Sequence, residues 1–351
     1  MLKAVKYKFD NVPNIYWDFA DRHGAIYQTK SYIECLVASD VDLFMILVYD
    51  GDELKGGTVV QYGRKILNFP INARIYFGPV VQHYAILKDI LMVIGNAVKR
   101  DSLLFTINLP AVPTEALSKI GLLDGVKKTV EFLHWDISRP LADLRKSFGK
   151  GNKSGINRAQ KEGVIVVDIK TEAQVDQFYD VYSMSMNKSS LDPENINYFK
   201  SLIFLLRPKG LAAGFLALHP RTKEAIAGRM LLLGTNGGAV FLASGHDPKY
   251  RKLRGGNLLM WRCLEFLKSR NFRTADFVGL PKGNTIRTKG LRDSKLSWVG
   301  NYGHHHLSLT LTHGNFGLNP KLIIGASLFL KRLLILLRGI GLQGLRPFFN
   351  K

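Results

Sequence analysis

Acidic residues are scarce in this chain of 351 residues, and none occurs after Asp293. Asp and Glu total 28 against 49 Lys and Arg, leaving a formal net charge of +21 and a pI near 9.9. A field of that size attracts nucleic acid, phosphorylated substrates or an anionic membrane surface and carries no information about fold. Cysteine is scarcer still. Cys35 and Cys263 stand far apart without metal-ligand spacing, which argues against a disulfide framework or a zinc site. The opening residues MLKAVKYKFDNVP contain no apolar segment of the kind a secretory signal needs. Together these absences make a reducing compartment, most simply the cytoplasm, the expected location. There is also no nucleophile elbow, Walker loop or dinucleotide fingerprint to announce a chemistry.

What is present reads as a folded protein of two domains. The hydrophobic fraction is 46% with mean hydropathy near zero, and the length allows each half to bury its own core. In the second half, 211–218 (LAAGFLAL), 225–233 (AIAGRMLLL) and 239–245 (AVFLASG) read as strands separated by HPRTKE and GTNGG turns. A helix follows over roughly 256–270, with Leu259, Cys263, Phe266 and Leu267 on one apolar face. Residues 274–279 (TADFVG) then read as a strand. This β-β-β-α-β order is an antiparallel meander closed by one crossover unit. The first half offers a like series: strands at 44–50, 56–63, 74–81 and 103–109, a helix over about 84–100, and a short helix from Pro113. The fold class expected is α/β with mixed sheets, built from domains 1–135 and 136–312 and followed by a tail, 313–351.

The tail differs in kind. On a helical projection, Lys321, Lys331, Arg332 and Arg338 fall within one arc, joined by Ser327, while leucine, isoleucine and Phe329 fill the broad remainder. Uncharged stretches between these cations are well short of the roughly 18 residues that span a bilayer. A basic amphipathic helix over 321–338, lying on an anionic membrane surface, is the expectation. The alternative is a terminal helix docked on the protein's own core.

Two further cation groups stand out. Within 136–164, at the junction of the halves, residues 141–164 hold Arg145, Lys146, Lys150, Lys153, Arg158 and Lys161 among only two acids, Asp143 and Glu162. Of these, Lys153, Arg158 and Lys161 are candidate anion contacts. Residues 247–257, DPKYRKLRGGN, bring Arg251, Lys252, Arg254, Gly255, Gly256 and Asn257 to the start of the 256–270 helix. Unpaired amides at a helix start suit phosphate, glycine lets the backbone come close, and arginine adds charge-assisted bonds. The corresponding stretch of the first half, GPVVQHYAI, has neither the cations nor the paired glycines. A donor site is therefore expected in the second half.

Several of these segments resemble Fem-type peptidyltransferases, double-domain members of the GNAT acyltransferase superfamily. GAIYQTKSYIECL (24–36) is similar to their opening segment, and DISRPLADLRKSFGKGNKSGINRAQKEGV (136–164) to the segment that begins their second half. FYDVYSMSMNKSSLDPENINYFKSL (178–202), ASGHDPKYRKLRGGNLLMW (243–261), FRTADFVGL (272–280) and NTIRTKGLRDSKLSWVGNY (284–302) resemble further family motifs. The likeness spans about 24–312. Arg254 stands where the superfamily's phosphate loop has its first glycine, and Thr288 and Leu291 replace family aromatics. The resemblance implies two tandem GNAT-like domains and amide-forming acyl transfer, with no tightly bound cofactor. The donor would be aminoacyl-tRNA or acyl-coenzyme A, and the acceptor an amine on a phosphate-bearing or lipid-linked envelope precursor. Lys289 matches the lysine of the family's "FKrgFG" segment and would neutralise charge near the reacting carbonyl or an acceptor phosphate. Asp276 matches a strand aspartate that would hold an amine or pair with a neighbouring arginine, and Tyr198 would orient the acceptor. An acyl-coenzyme A enzyme acting on a small aminosugar, and a non-enzymatic membrane- or RNA-binding module, are the alternatives.

His304, His305 and His306 invite a metal-site reading. On a strand, however, His304 and His306 face one side and His305 the other. No cysteine or carboxylate lies nearby in sequence to complete a ligand set, so a polar strand face is expected and no metal site.

Overall fold

The structure is a computed structural model that describes residues 1–63, 65–66, 69–99, 101–110, 126–189, 191–281, 285–314 and 319. The helix expected from Pro113 and the amphipathic tail over 321–338 lie outside these residues. The chain forms two compact units. One gathers Met1–Thr29, Val41–Thr129 and the chain from Ser308; the other gathers Lys30–Asp40 and Val130–Leu307.

In the first unit, Leu2–Tyr7, Leu43–Asp50 and Glu53–Tyr62 pair antiparallel in succession. The end of Glu53–Tyr62 pairs with Asn72–Tyr76, which lies parallel to Leu104–Asn108, and the latter pairs antiparallel with Thr310–Gly314. The helix Leu87–Val98 covers this sheet because its apolar residues recur at helical spacing. Ile90, Leu91, Ile94 and Val98 pack on Ile46, Val60, Ile75, Phe105 and Ile107. The single strand expected over 74–81 is instead two, Asn72–Tyr76 and Val80–Val81. Phe77 adopts φ 50°, outside the extended region, and Pro79 has no N–H to offer a ladder. Buried Gln28 is satisfied by three bonds: it donates to Tyr76 O at 2.7 Å and accepts from Val59 N and Thr58 Oγ1 at 3.0 and 3.3 Å.

In the second unit the meander stands within a residue of its expected limits. Ile165–Asp168, Ala212–Leu218, Ala225–Leu233 and Gly238–His246 pair antiparallel in order. The helix Glu172–Lys188 opens with Thr171 and Gln174 in a reciprocal cap and packs on one face. It comes so close that a Cβ on Gly245 would meet the Val181–Tyr182 backbone at 2.4 Å, which only glycine avoids. The other face carries the helix Gly255–Ser269, whose Leu259, Cys263, Leu264 and Leu267 are buried with Leu133, Trp135 and Leu231. Each such leucine stabilises the fold by about 1.5–3 kcal/mol. The strand expected over 274–279 ends at Asp276, because the chain turns away there with Val278 at φ 45° and Gly279 at φ 61°. Cys35 and Cys263 are buried free thiols, each pushed up to about 12 by that burial, so neither is a nucleophile at neutral pH.

Candidate acyl-transfer site

The second unit's sheet comes apart at one place. Thr274–Asp276 pairs parallel with the start of Gly238–His246, and the last pair is Val240 with Asp276. Immediately beyond, the register against Ala225–Leu233 slips: Leu231 faces Phe241, but Met230 faces Ala243. Leu242 is thus an inserted residue, and such a bulge bends its strand and re-aims the side chains that follow. The strand runs on to His246, while residues 277–280 follow the other neighbour, Phe277 N donating to Leu133 O and Leu280 N to Glu131 O. Among the described residues, the Phe241–His246 edge that faced Asp276 has no further strand beside it. The wedge so formed is closed on the side of the Gly255–Ser269 helix by stacked Phe241 and Phe277, centroids 4.8 Å apart, with Trp135 at 5.9 Å from Phe277. Because the bulge shifts the alternation, Phe241 and Ser244 share the face of Arg229, which lies opposite Ser244.

The free strand leads directly into the basic turn. Asp247 accepts from Lys249 N at 2.8 Å, and Pro248 starts a short helical turn that ends at Arg254, φ 58° and ψ 29°. This left-handed residue reverses the chain so that the next helix begins at Gly255. Gly255 is a packing glycine: an added Cβ would meet Ile226 at 2.8 Å. Around Gly256, in contrast, there is open space. Asn257 and Leu258 donate back to Arg254 O, so the Gly255 and Gly256 amides are the ones left without an acceptor in their own helix. Arg251, Lys252 and Arg254 are exposed around them. Burial, then the charges of Lys188 and Arg251, push His246 below its ordinary value.

The 136–164 cations are carried by two helices, Leu141–Ser147 and Lys150–Lys161. The second packs on Gly255–Ser269 through Gly155, where a Cβ would meet Asn257 at 2.7 Å. Asn257 donates to Asn152 Oδ1 at 3.1 Å, and Asn152 to Ser297 Oγ at 2.9 Å. Asn257 therefore ties two helices together, and the packing puts both expected anion-binding groups on one helix pair. Lys153 donates to Lys146 O at 3.2 Å, Arg158 lies 3.7 Å from Glu162, and Lys161 is exposed. Beside them a groove of about 500 Å³ is lined by Leu141, Ala142, Arg145, Lys146, Lys153 and Trp261.

The three residues expected to serve catalysis stand on three different elements. Asp276 holds His134, Nε2 to Oδ2 at 3.0 Å, rather than an arginine, and accepts from Val278 N at 2.6 Å. The hydrogen bond to Asp276 raises His134 above its ordinary value. By strand alternation this pair lies on the face opposite Trp135 and Ala275. Tyr198, on Ile196–Ser201, has its hydroxyl 3.0 Å from that of Tyr32. Lys289 is exposed in the first turn of the helix Ile286–Val299.

A different lysine approaches the wedge. Lys295, on the same helix, donates to the carbonyls of Phe277, Val278 and Gly279 at 2.8, 3.1 and 2.7 Å. It clamps the turn by which the chain leaves the split, and burial brings it down to about 8. Sequence inspection passes it over because nothing local marks it; only the i, i+3 and i+4 spacing of Lys295, Trp298 and Val299 hints at an inward face. Glu131 is a second late arrival. It takes both Arg292 Nη atoms, at 2.6 and 3.1 Å, and His305 Nδ1. That pairing gives the His304–His306 run one carboxylate neighbour, yet no group of three or more metal-ligating residues exists among the described residues.

Residues 146–286 match the family model described as "Acetyltransferase (GNAT) domain". No curated protein matches the chain significantly in sequence. Among solved structures, FemX aligns with a TM-score of 0.64 at 15% identity, covering 87% of this chain and 96% of its own. A tandem GNAT protein from the clavulanic acid biosynthesis pathway aligns at 0.55 and 12% identity, covering 89% and 98%. L-PGS from Bacillus licheniformis aligns at 0.55 and 14% identity, covering 92% and 96%. The chain has the tandem GNAT fold of these structures.

Proposed function

We propose that this protein is an N-acyltransferase that passes an acyl or aminoacyl group to an amine on a cell-envelope precursor bearing phosphate or lipid. The observation that carries the reading is the split after Val240–Asp276, running into a helix start with two free glycine amides and three arginine or lysine side chains. An extended acyl carrier fits along an unpaired strand edge, because its amides can replace the missing ladder. Its phosphates fit the helix start, where fixed N–H dipoles and cations meet them. Acyl-coenzyme A is the donor to which the GNAT match points, and aminoacyl-tRNA is the donor suggested by the likeness to Fem-type proteins. In either case an uncharged amine must attack a carbonyl, and the developing oxyanion must be met by a positive group. Lys289 is the proposed neutralising charge at the acceptor side, with Asp276 and Tyr198 in supporting roles. Attachment to the inner membrane surface through 321–338 is part of the proposal and rests on the amphipathic pattern. No described helix is long and apolar enough to cross a membrane.

The test is to incubate the protein with acetyl-coenzyme A and, separately, with charged tRNA, then weigh amino-sugar and peptide acceptors. A mass gain from either donor is expected, and loss of the gain with RNase identifies the tRNA route. A second reading, a non-enzymatic basic module for membrane or RNA, draws on the Phe241–Phe277 stack that closes one side of the wedge. It predicts binding without mass gain from either donor.

A further inference from the structure

Arg229 sits in the middle strand of the second unit's meander with no counter-charge. Its Nε is shielded from water and has no hydrogen-bond partner. The guanidinium rests over the ring of Phe241, 5.2 Å from the centroid. Burial holds it below the ordinary arginine range, and the other neighbour that bears on it electrostatically is the thiol of Cys263, not a carboxylate. Its charge also lowers Lys295, adding to the dominant effect of burial against the opposing pull of Asp276. The three N–H groups of Lys295 are spent on the carbonyls of 277–279; those of Arg229 make no hydrogen bond among the described residues.

A buried cation with no counter-charge destabilises a folded protein unless something negative joins it. The position identifies what that is. Arg229, Phe241 and Ser244 share one face at the split, and Ser244, directly opposite Arg229, is exposed. The guanidinium therefore stands beside Phe241, the first residue past the last paired one, Val240. Resting on the acyl-transfer reading above, we propose that Arg229 is the oxyanion-binding group of the reaction. The amine nitrogen attacks the acyl carbonyl carbon, a C–N bond forms, and the C=O electron pair moves to oxygen, where Arg229 N–H groups meet it. Collapse restores the C=O, breaks the bond to the carrier's sulfur or oxygen, and sends the amine's proton to that leaving group. The products are an amide and the free thiol or hydroxyl carrier.

The role makes a demand that a structural arginine does not. Arg229→Met removes an uncompensated charge, so the unliganded protein should melt a few degrees higher than wild type while kcat falls by about 10²–10³-fold. The KM for donor should stay within roughly threefold, since the contact tightens only as charge develops. Arg229→Lys, which keeps the charge and loses the fork, should retain part of kcat. The assay is thiol release from acetyl-coenzyme A, or deacylation of charged tRNA, with amino-sugar and peptide acceptors. Arg229→Met melting below wild type, or turning over at the wild-type rate, would overturn the inference. Wild-type protein inert toward both donors would instead remove the transfer reading itself, and this inference with it.

Discussion

Both units contain a parallel strand–helix–strand crossover, and they differ in how far its two strands stay together. In the first, Asn72–Tyr76 and Leu104–Asn108 are paired along their whole length, from Asn72 with Leu104 to Tyr76 with Asn108. In the second, pairing stops at Val240 with Asp276 while Gly238–His246 continues alone. The helix between the first pair starts at Leu87 after Ile86, with no side-chain cap and no glycine. The helix between the second starts behind left-handed Arg254 with Gly255 and Gly256. One inserted residue and one basic turn thus separate a closed crossover, which serves as scaffold, from an open one that can receive an extended ligand.

The comparison can be broken most forcefully at Lys295. Lys295→Met should destabilise the second unit by about 3 kcal/mol, because three carbonyls lose their donor together. Denaturant unfolding reads this, and an unchanged midpoint would mean that the split does not depend on the clamp. Next in size, Arg251→Ala combined with Arg254→Ala should weaken donor binding roughly 10–100-fold, since each charge-assisted bond is worth about 1.5–3 kcal/mol at most. Lys88→Ala, at the start of the closed crossover's helix, should leave donor binding alone. Equal effects from the two would erase the distinction between the units. Lys289→Ala should lower kcat by about tenfold at an unchanged melting temperature, as its side chain is exposed; a matching drop in stability would reassign it to the scaffold.

The smallest effect concerns pH. His134 is raised above its ordinary value of 6.5 by its hydrogen bond to Asp276. The stabilisation from this pair is therefore complete below about 6.5 and disappears as pH rises through the raised value. Asp276 also raises Lys295 against the larger lowering by burial. Asp276→Asn should flatten this part of the stability–pH curve by under about 1 kcal/mol, given that the His134 side chain is 36% exposed and screened by water. A curve that keeps its shape in the variant would show that the pair contributes nothing to folding.

The meander was legible because alternation and turn glycines are local signals: 225–233 and the Gly238–His246 hairpin follow directly from them. The basic helix start was legible too, since cations and glycines adjoin in sequence. Arg229 was not, because inside AIAGRMLLL it looks like one polar residue on a strand. Only the slipped register at Leu242, a property of two strands together, decides that it shares a face with Phe241 and Ser244. Lys295 and Glu131 were missed for the same reason, as their partners lie 16 to 18 and 161 residues away.

Composition and periodicity alone settled that the chain is basic, that its second half carries an antiparallel meander ahead of a helix, and that the cations crowd at that helix's start. These depend on neighbours a few residues apart, where backbone geometry dictates the outcome. Tertiary packing decided the rest: where the sheet opens, which lysine holds it open, and which arginine is left without an anion. Burial and register join residues distant in the chain, and the free energy of an unpaired charge has no meaning until its surroundings are assembled.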